Sequence, residues 1–300
     1  MMTQLKTNPS EREYKGTYKL EHISASGMKS WMTCGLQWRL SHIDGVRRKK
    51  TSSALIFGTV IHRSAEDLWK TGAIPNFKKF WTPYKDSQNI EYGKRDSWLS
   101  LYQKGGKMSA NLVKAFESKI NFPKSLVEIQ EKVDLGFVTL RGRIDAVLDV
   151  KKLPILIGEK VDQFSGLLRI DLKTSSGKYA EDTPSKALQL KIYDILSIGK
   201  KTAADLSAYV VVTKTKEPTV QILGRKYDRQ EIKTQINQIR KVSDSIRAGL
   251  FIRVEGDHCN YCDFREMCYR SPGWQKLYSV HRDRSGDQPI DGLPNLEEGQ

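Results

Sequence analysis

The chain has 300 residues, with 50 Lys and Arg against 35 Asp and Glu, for a formal charge of +15 and a pI near 9.5. Its composition, 38% hydrophobic and 28% charged, is globular, and a chain this long buries roughly 75% of its unfolded surface, enough for one large domain or two small ones. No apolar run nears the ~18 residues that cross a bilayer, and Met1 to Leu20 has neither the apolar core of a signal peptide nor the acid-free character of a transit peptide, so a cytoplasmic protein is expected, without a membrane.

Residues 1–20 read as a polar arm. A helix is predicted from Ser24 or Ser26, both good caps, carrying Met28, Trp31, Met32, Cys34, Leu36 and Trp38. The basic run Arg47-Arg48-Lys49-Lys50 reads as a solvated loop, with phosphate contact as the sharper alternative. A second helix is predicted over Gly58 to Lys70, and a third over Ser109 to Ile120, after a break at Gly105-Gly106. From Leu126 the pattern becomes strand-like: Val138, Leu140, Ile144, Ala146 and Leu148 fall on one face, and Thr139, Arg141, Arg143 and Asp145 on the other. Lys151 to Gly166, with Pro154, Gly158 and Gly166, reads as a turn with room for a short strand, and Leu167 to Lys173 as the next strand. Thr183-Pro184 opens a helix to about Ile198, Tyr209 to Thr213 is a strand, and Arg229 to Ala248 is a long polar helix ended by Gly249. Residues 271–300 read as a mobile tail, with Trp274 and Tyr278 as possible anchors. Trp69, Trp81 and Trp98 read as packing residues. Helices flanking a central sheet indicate an α/β fold.

The excess positive charge has two explanations, solubility or a polyanionic partner such as nucleic acid. The four cysteines add to the second. Cys259, Cys262 and Cys268 form a C-x2-C-x5-C cluster, and Cys34 stands far away. Two intervening residues let a turn point both sulfurs at one centre. Nothing argues for an oxidising compartment, so a metal centre is favoured over disulfides. The spacing does not separate Zn²⁺, with His258 as an alternative ligand to Cys34, from an iron–sulfur cluster.

The segment Ile170-Asp171-Leu172-Lys173-Thr174 carries the second constellation. In a strand, Asp171 and Lys173 share one face while Ile170 and Leu172 share the other. Alone, such a pair is an ordinary surface ion pair. Asp145, on the polar face of the preceding strand, changes the reading. If the strands are neighbours, two carboxylates converge beside one amine, a set of oxygen ligands that suits Mg²⁺ or Mn²⁺. His62, near the start of a helix, and Gln189 with Tyr193, four apart on one helix face, are candidates to complete the site.

The ordered set Cys34, Gly58-Thr59-Val60-Ile61-His62, Gly142-Arg143-Ile144-Asp145, Asp171-Leu172-Lys173, Gln189-Leu190-Lys191-Ile192-Tyr193 and Cys259-x2-Cys262-x5-Cys268 resembles the RecB-like branch of the PD-(D/E)XK nucleases. Within it, the chain is similar to the iron–sulfur members, the CRISPR-associated RecB-like exonucleases and the nuclease domain of AddB. The match spans about residues 24 to 270. The resemblance implies a restriction-endonuclease-like core with a mixed sheet, in a domain over residues 21–270. It also implies a [4Fe–4S] cluster on Cys34, Cys259, Cys262 and Cys268, joining the two ends of that domain. His62, Asp145, Asp171 and the Leu172 carbonyl would bind the catalytic Mg²⁺ or Mn²⁺. Lys173 would be the catalytic lysine, with Gln189 and Tyr193 supporting it and contacting DNA. The implied activity is phosphodiester hydrolysis, commonly exonucleolytic on single-stranded DNA ends, in repair, replication, recombination or CRISPR-type processing. A helicase, recombination or CRISPR protein is the implied kind of partner.

Two departures stand out. Gly35 follows the first cysteine where the family often has Pro. The interval from Asp145 to Asp171 is long for two adjacent strands, so an insertion or extra hairpin is expected between them. No Gly-x4-Gly-Lys-[Ser/Thr] loop occurs, so ATP-driven unwinding is not intrinsic. The competing reading is a nucleic-acid-binding or adaptor protein that keeps the fold and the metal cluster without catalysis.

Overall fold

The structure is a computed structural model and describes residues 18–280. Residues 1–17 of the expected arm and 281–300 of the expected tail lie outside the described residues. At the start, Tyr18 donates its N–H to the Arg247 carbonyl (2.8 Å) and sets its ring edge-on to Phe251.

The first strand, β1 (His22–Ser24), leads into helix α1 (Ala25–Thr33). Ser24 caps it by accepting the Gly27 N–H. The helix predicted to run on to Trp38 breaks at Cys34, whose backbone is extended (φ −161°, ψ 111°), and α2 (Gly35–His42) restarts at once. A neighbouring segment causes the break. The Leu36 N–H donates to the Ile252 carbonyl (3.3 Å), and the Val254 N–H donates to the Cys34 Sγ (3.5 Å).

The basic run is a solvated loop only at Lys49-Lys50, which are exposed bends. Strand β2 (Val46–Arg48) takes its first two arginines, and Arg47 donates to the Ser41 carbonyl (2.6 Å). Short β3 (Thr51–Ser52) precedes α3 (Ser53–Thr71), which starts ahead of its predicted Gly58 because Ser52 caps it at Leu55. Helix α4 (Phe77–Trp81) and β4 (Ile90–Glu91), parallel to β3, lead to α5 (Trp98–Phe116). Helix α5 runs straight through Gly105-Gly106. The predicted break is absent because Gly105 lies under the Phe77 ring, where a Cβ would meet the ring Cζ at 1.9 Å. Trp69 and Trp81 are buried as expected, and Trp98 stacks on Tyr102.

Strands β5 (Leu126–Asp134), β6 (Thr139–Ile157) and β7 (Lys160–Ser175) follow. Lys151 to Gly166 is strand on both sides of a two-residue turn at Gly158-Glu159. The β6–β7 hairpin continues past a bulge between Val150 and Leu153 to a tight turn after Ile157. The stretch between the two aspartates therefore forms the two arms of one long hairpin, with no separate insertion. Next comes α6 (Leu188–Leu196), shorter than predicted. Thr183 to Lys186 forms a 3-10 turn on Pro184, and Ala187 is extended before the α-helix begins. Strands β8 (Leu206–Thr213) and β9 (Val220–Arg225) precede α7 (Arg229–Arg247), which opens on a reciprocal Asp228–Glu231 capping box.

The sheet is mixed. Strand β6 pairs antiparallel with β5 and β7 and parallel with β1, β7 pairs parallel with β8, and β8 pairs antiparallel with β9. Strand β9 returns to the end of β6, where Leu156 lies between Val161 and Leu223, so the sheet curls on itself there. Helices cover both faces. On one, α3, α4 and α5 bury Phe57, Ile61, Trp81 and Met108 against Leu148, Ile170 and Val210. On the other, α1, α6 and α7 bury Met28, Leu190, Ile195 and Ile239 against Leu140, Ile144 and Val211. Each of these large side chains contributes roughly 1.5–3 kcal/mol when buried.

The last elements are α8 (Arg265–Cys268) and β10 (Tyr278–Val280), which pairs antiparallel with β2. Residues 271–280 are therefore docked rather than a mobile tail. Trp274 and Tyr278 are buried with Leu36, Leu40 and Phe264, and the Tyr278 hydroxyl donates to the Asp263 carbonyl (2.7 Å). Among the described residues, no helix is long and apolar enough to cross a membrane.

Candidate active site

The β6–β7 ladder ends at the pair Ala146 and Ile170. One step further along each strand stand Asp145 and Asp171. Beyond that pair the Leu172 N–H is not bonded across the ladder, and the Asp145 carboxylate accepts it instead (2.8 Å). Asp145 is thereby fixed beside the backbone that joins Asp171 to Lys173. His62, on α3, brings Nδ1 to 3.5 Å from the same Asp145 oxygen.

Strand β7 presents Asp171 and Lys173 toward α6. Lys173 Nζ lies 2.6 Å from Asp171 Oδ2, a charge contact rather than an aligned hydrogen bond, and donates to Gln189 Oε1 (2.8 Å). Gln189 Nε2 donates to the Tyr193 hydroxyl (2.7 Å), which donates to Asp171 Oδ1 (3.2 Å). The chain of contacts thus closes on itself through Asp171, Lys173, Gln189 and Tyr193. The helix can approach this closely because Gly142 faces it: a Cβ there would meet Leu196 Cδ1 at 2.6 Å. Asp171 is buried, whereas His62 and Lys173 keep about 28% and 29% of their side chains open. The site thus has a carboxylate floor and a partly open rim formed by His62 and Lys173.

All six side chains singled out from the sequence, His62, Asp145, Asp171, Lys173, Gln189 and Tyr193, meet here. Leu172 sends its side chain into the core and its N–H to Asp145. Among the described residues, no set of three or more His, Cys, Asp and Glu side chains is drawn together tightly enough to hold an ion. The donor chemistry nonetheless fits a hard divalent cation, because Asp145 and Asp171 offer oxygens and Asp171 Oδ2 is buried without an aligned donor.

The electrostatics follow from burial. Burial pushes the Asp145 carboxyl up to about 6; His62 pulls it down, and Asp171 pushes it up again. For Lys173, burial works against the charge, but Asp171 and Asp145 outweigh it and hold the amine above its usual value. The Asp145 shift has a consequence for folding. The folded state keeps a proton that the unfolded chain releases near pH 4, so stability falls as pH rises from about 4 to 6 and stays lower above. In metal-free protein, Asp145→Asn is therefore expected to be more stable than wild type above pH 6, by up to about 3 kcal/mol, and no more stable near pH 4. Urea unfolding in EDTA at pH 4, 6 and 8 measures this; a gain of equal size at all three would contradict it.

The sequence reading missed three neighbours. Glu66, one turn after His62 on α3, has its carboxyl pushed up to about 8 by burial and by Glu128. Glu128 in turn meets Arg143 (3.2 Å) and Lys70 (3.7 Å). The four-residue spacing from His62 was the available signal for Glu66. The third, Tyr209 on β8, lies under Lys173 with its ring 5.8 Å from Nζ, a cross-strand contact that no sequence spacing announces.

The four cysteines line one small cavity with Leu36, Arg253, His258 and Tyr269. None is in a disulfide. Cys34 comes from the α1–α2 junction, Cys259 from a 3-10 turn and Cys262 from the extended residue that ends it, and Cys268 from the end of α8. His258 lines the same cavity but turns Nε2 to the Val254 carbonyl (3.1 Å). Burial pushes the Cys262 and Cys268 thiols up, and the neighbouring cysteines add to it. Four thiols at one cavity form a soft donor set that fits a thiolate-bound metal centre.

A sequence profile of the PD-(D/E)XK nuclease superfamily matches residues 22–269. No curated protein matches the chain in sequence. Among solved structures, the chain is similar to a Eubacterium rectale protein described as a candidate exonuclease, at 14% identity over 82% of this chain and 87% of that one, with a TM-score of 0.50. Two further structures are more distant. The protein SSO0001 matches at 14% identity over 80% of this chain and 92% of that one, with a TM-score of 0.31. The Vibrio cholerae protein VC1899 matches at 13% identity over 72% and 61%, with a TM-score of 0.22.

Proposed function

Because the chain belongs to the PD-(D/E)XK nuclease superfamily, we propose that it is a Mg²⁺- or Mn²⁺-dependent deoxyribonuclease acting on single-stranded DNA ends, of the RecB-like iron–sulfur branch. One observation carries the reading: the Asp145 carboxylate is tied to the Leu172 amide, between the carboxylate of Asp171 and the ammonium of Lys173.

In this reading His62, Asp145, Asp171 and the Leu172 carbonyl hold the divalent ion. Once bound, the ion supplies Lewis acidity, lowering the pKa of water and neutralising phosphate charge. The protein supplies the rest. Lys173, charged at neutral pH, orients the attacking water and offsets the negative charge that gathers on the phosphoryl oxygens as the P–O bond to the leaving group breaks. Gln189 and Tyr193 hold Lys173 and Asp171 in place and face the strand. The net charge of +15 draws the polyanion in.

Cys34, Cys259, Cys262 and Cys268 hold a [4Fe–4S] cluster in this account. Its part is structural, since Cys34 and the other three cysteines come from opposite ends of the domain. The exonucleolytic mode and the strand preference come from the family resemblance, and the description of the Eubacterium rectale protein agrees with an exonuclease. The test is incubation with end-labelled single- and double-stranded DNA in Mg²⁺, Mn²⁺ or EDTA. Release of short products from single-stranded ends with Mn²⁺, abolished by EDTA, is expected. Binding without cutting in any metal would replace this reading with the adaptor one.

A further inference from the structure

Helix α6 carries both Gln189 and Tyr193, yet little in the helix itself fixes its position along β7. It has nine residues and no side-chain bond at its N-cap. Apart from Tyr193, its buried face is apolar (Leu190, Ile192, Ile195, Leu196), and apolar burial carries no direction of its own. A slip of one residue moves a helix by about 1.5 Å, enough to break every hydrogen bond from Gln189 and Tyr193.

One ion pair, buried on its arginine side and half-buried at its carboxylate, resists that slip. Arg169 on β7, only 2% exposed, donates through Nη1 to Asp194 Oδ1 on α6 and to Ser207 Oγ (2.9 Å), and through Nη2 to the Thr202 carbonyl (2.9 Å). The Ser207 hydroxyl donates to the same Asp194 oxygen (2.7 Å). Along β7, Arg169, Asp171 and Lys173 alternate on one face. Along α6, their partners are Asp194, Tyr193 and Gln189. These are three rungs between the same strand and the same helix. The first is braced to β8 and to the loop before it, with Arg169 buried and Asp194 about 24% exposed; the Asp171–Tyr193 rung is buried, and Lys173 in the third is partly open.

We propose that the Arg169–Asp194 pair sets the register of α6 on β7 and thereby holds Gln189 and Tyr193 where Lys173 and Asp171 need them. Arg169 is a positioning residue for the reaction, and its kinetic consequence rests on the nuclease reading above. The energetics favour this role over a purely stabilising one. A buried ion pair gives up hydration of both charges, and apolar side chains of similar volume generally stabilise a fold as well or better. What the pair adds is directional: a planar guanidinium fork whose Nη1 meets Asp194 and Ser207 while its Nη2 is held by the Thr202 carbonyl, which fixes where the carboxylate sits.

The test replaces both partners at once, Arg169→Met with Asp194→Leu, so that no buried charge is left alone. The melting temperature is expected to stay within about 3 °C of wild type, while amide hydrogen exchange across α6 speeds up about tenfold and that of α7 is unchanged. With Mn²⁺ and a single-stranded oligonucleotide, kcat is expected to fall about 30-fold with KM within about twofold, the signature of a misplaced site rather than a lost binding surface. Unchanged α6 exchange, or kcat within about twofold of wild type, overturns the inference. If the wild type cuts no DNA, the nuclease reading fails, and the exchange data still decide the register claim. Should the double variant not fold, Asp194→Asn keeps shape and weakens the fork; unchanged α6 exchange in that variant would also overturn it.

Discussion

A Lys173→Ala variant is expected to lose about 10³-fold in kcat, with little change in DNA binding measured in EDTA. The size follows from where the amine sits. Lys173 Nζ lies between Asp171 Oδ2 and Gln189 Oε1, above the Tyr209 ring, with about 29% of its side chain open to the cleft. Asp171 and Asp145 hold the amine above its usual value despite burial, so it is an ammonium at any pH where the protein works. A fixed positive charge in a partly dry cleft is worth far more to a developing phosphoryl charge than the same charge in water. Removing it also leaves Asp171 buried without its ion pair, so Lys173→Ala alone confounds chemistry with stability. Lys173→Gln is the companion variant. Its amide still reaches Gln189 and Asp171 but carries no charge, so it is expected to fold like wild type and to be about as inactive as Lys173→Ala. Retained turnover in Lys173→Gln would remove the lysine from the mechanism.

The second large effect concerns the sulfur centre. Cys262→Ala is expected to lower the melting temperature by roughly 10 °C, to abolish bound iron and to weaken DNA binding, while leaving the geometry around Asp145 and Asp171 intact. Joining Cys34 to the distant Cys259–Cys268 cluster through one centre closes a very long loop, and the chain freedom this removes is worth about 5 kcal/mol in the chain-entropy account. The local structure shows what would be released. Leu36 and Cys34 bond to Ile252 and Val254, and Gly35 lets that segment approach so closely that a Cβ would meet the Ile252 nitrogen at 2.8 Å. Absorbance near 400 nm and iron content, read beside the melt, separate an iron–sulfur centre from zinc. Unchanged stability and activity in the variant would rule out the structural role.

How much of this was legible in the sequence differs by element. Four of the candidate site residues were readable as chemically distinctive side chains at short range from one another: Asp171 with Lys173 in one strand, Gln189 with Tyr193 on one helix turn. The single apolar face expected for Val138, Leu140, Ile144, Ala146 and Leu148 is divided, with Leu140 and Ile144 packed on one side of the sheet and Ala146 and Leu148 on the other, so alternation changes sides beside Asp145. The long hairpin was not readable, because Pro154, Gly158 and Gly166 imitate a turn; the chain continues as strand because β7 and β9 pair with β6 there and bury Leu153 and Ile155. The break at Cys34 was hidden for a similar reason, since its cause is the segment from Ile252 to Val254, near the other end of the chain. Strand β9 lacks strong alternation and was overlooked. Gly105-Gly106 misled in the opposite direction: Gly105 packs under the Phe77 ring where a side chain would not fit, so a glycine that weakens helices in isolation is built into one here.

Asp145 and Asp171 must close around one divalent ion for the nuclease reading to hold. Crystals soaked in Mn²⁺ and measured at the manganese absorption edge test this directly. An anomalous peak bridging the Asp145 and Asp171 carboxylates on the side facing His62 is expected, and its loss in an Asp145→Asn crystal. A peak elsewhere, or none at a Mn²⁺ concentration that supports cutting, would contradict it.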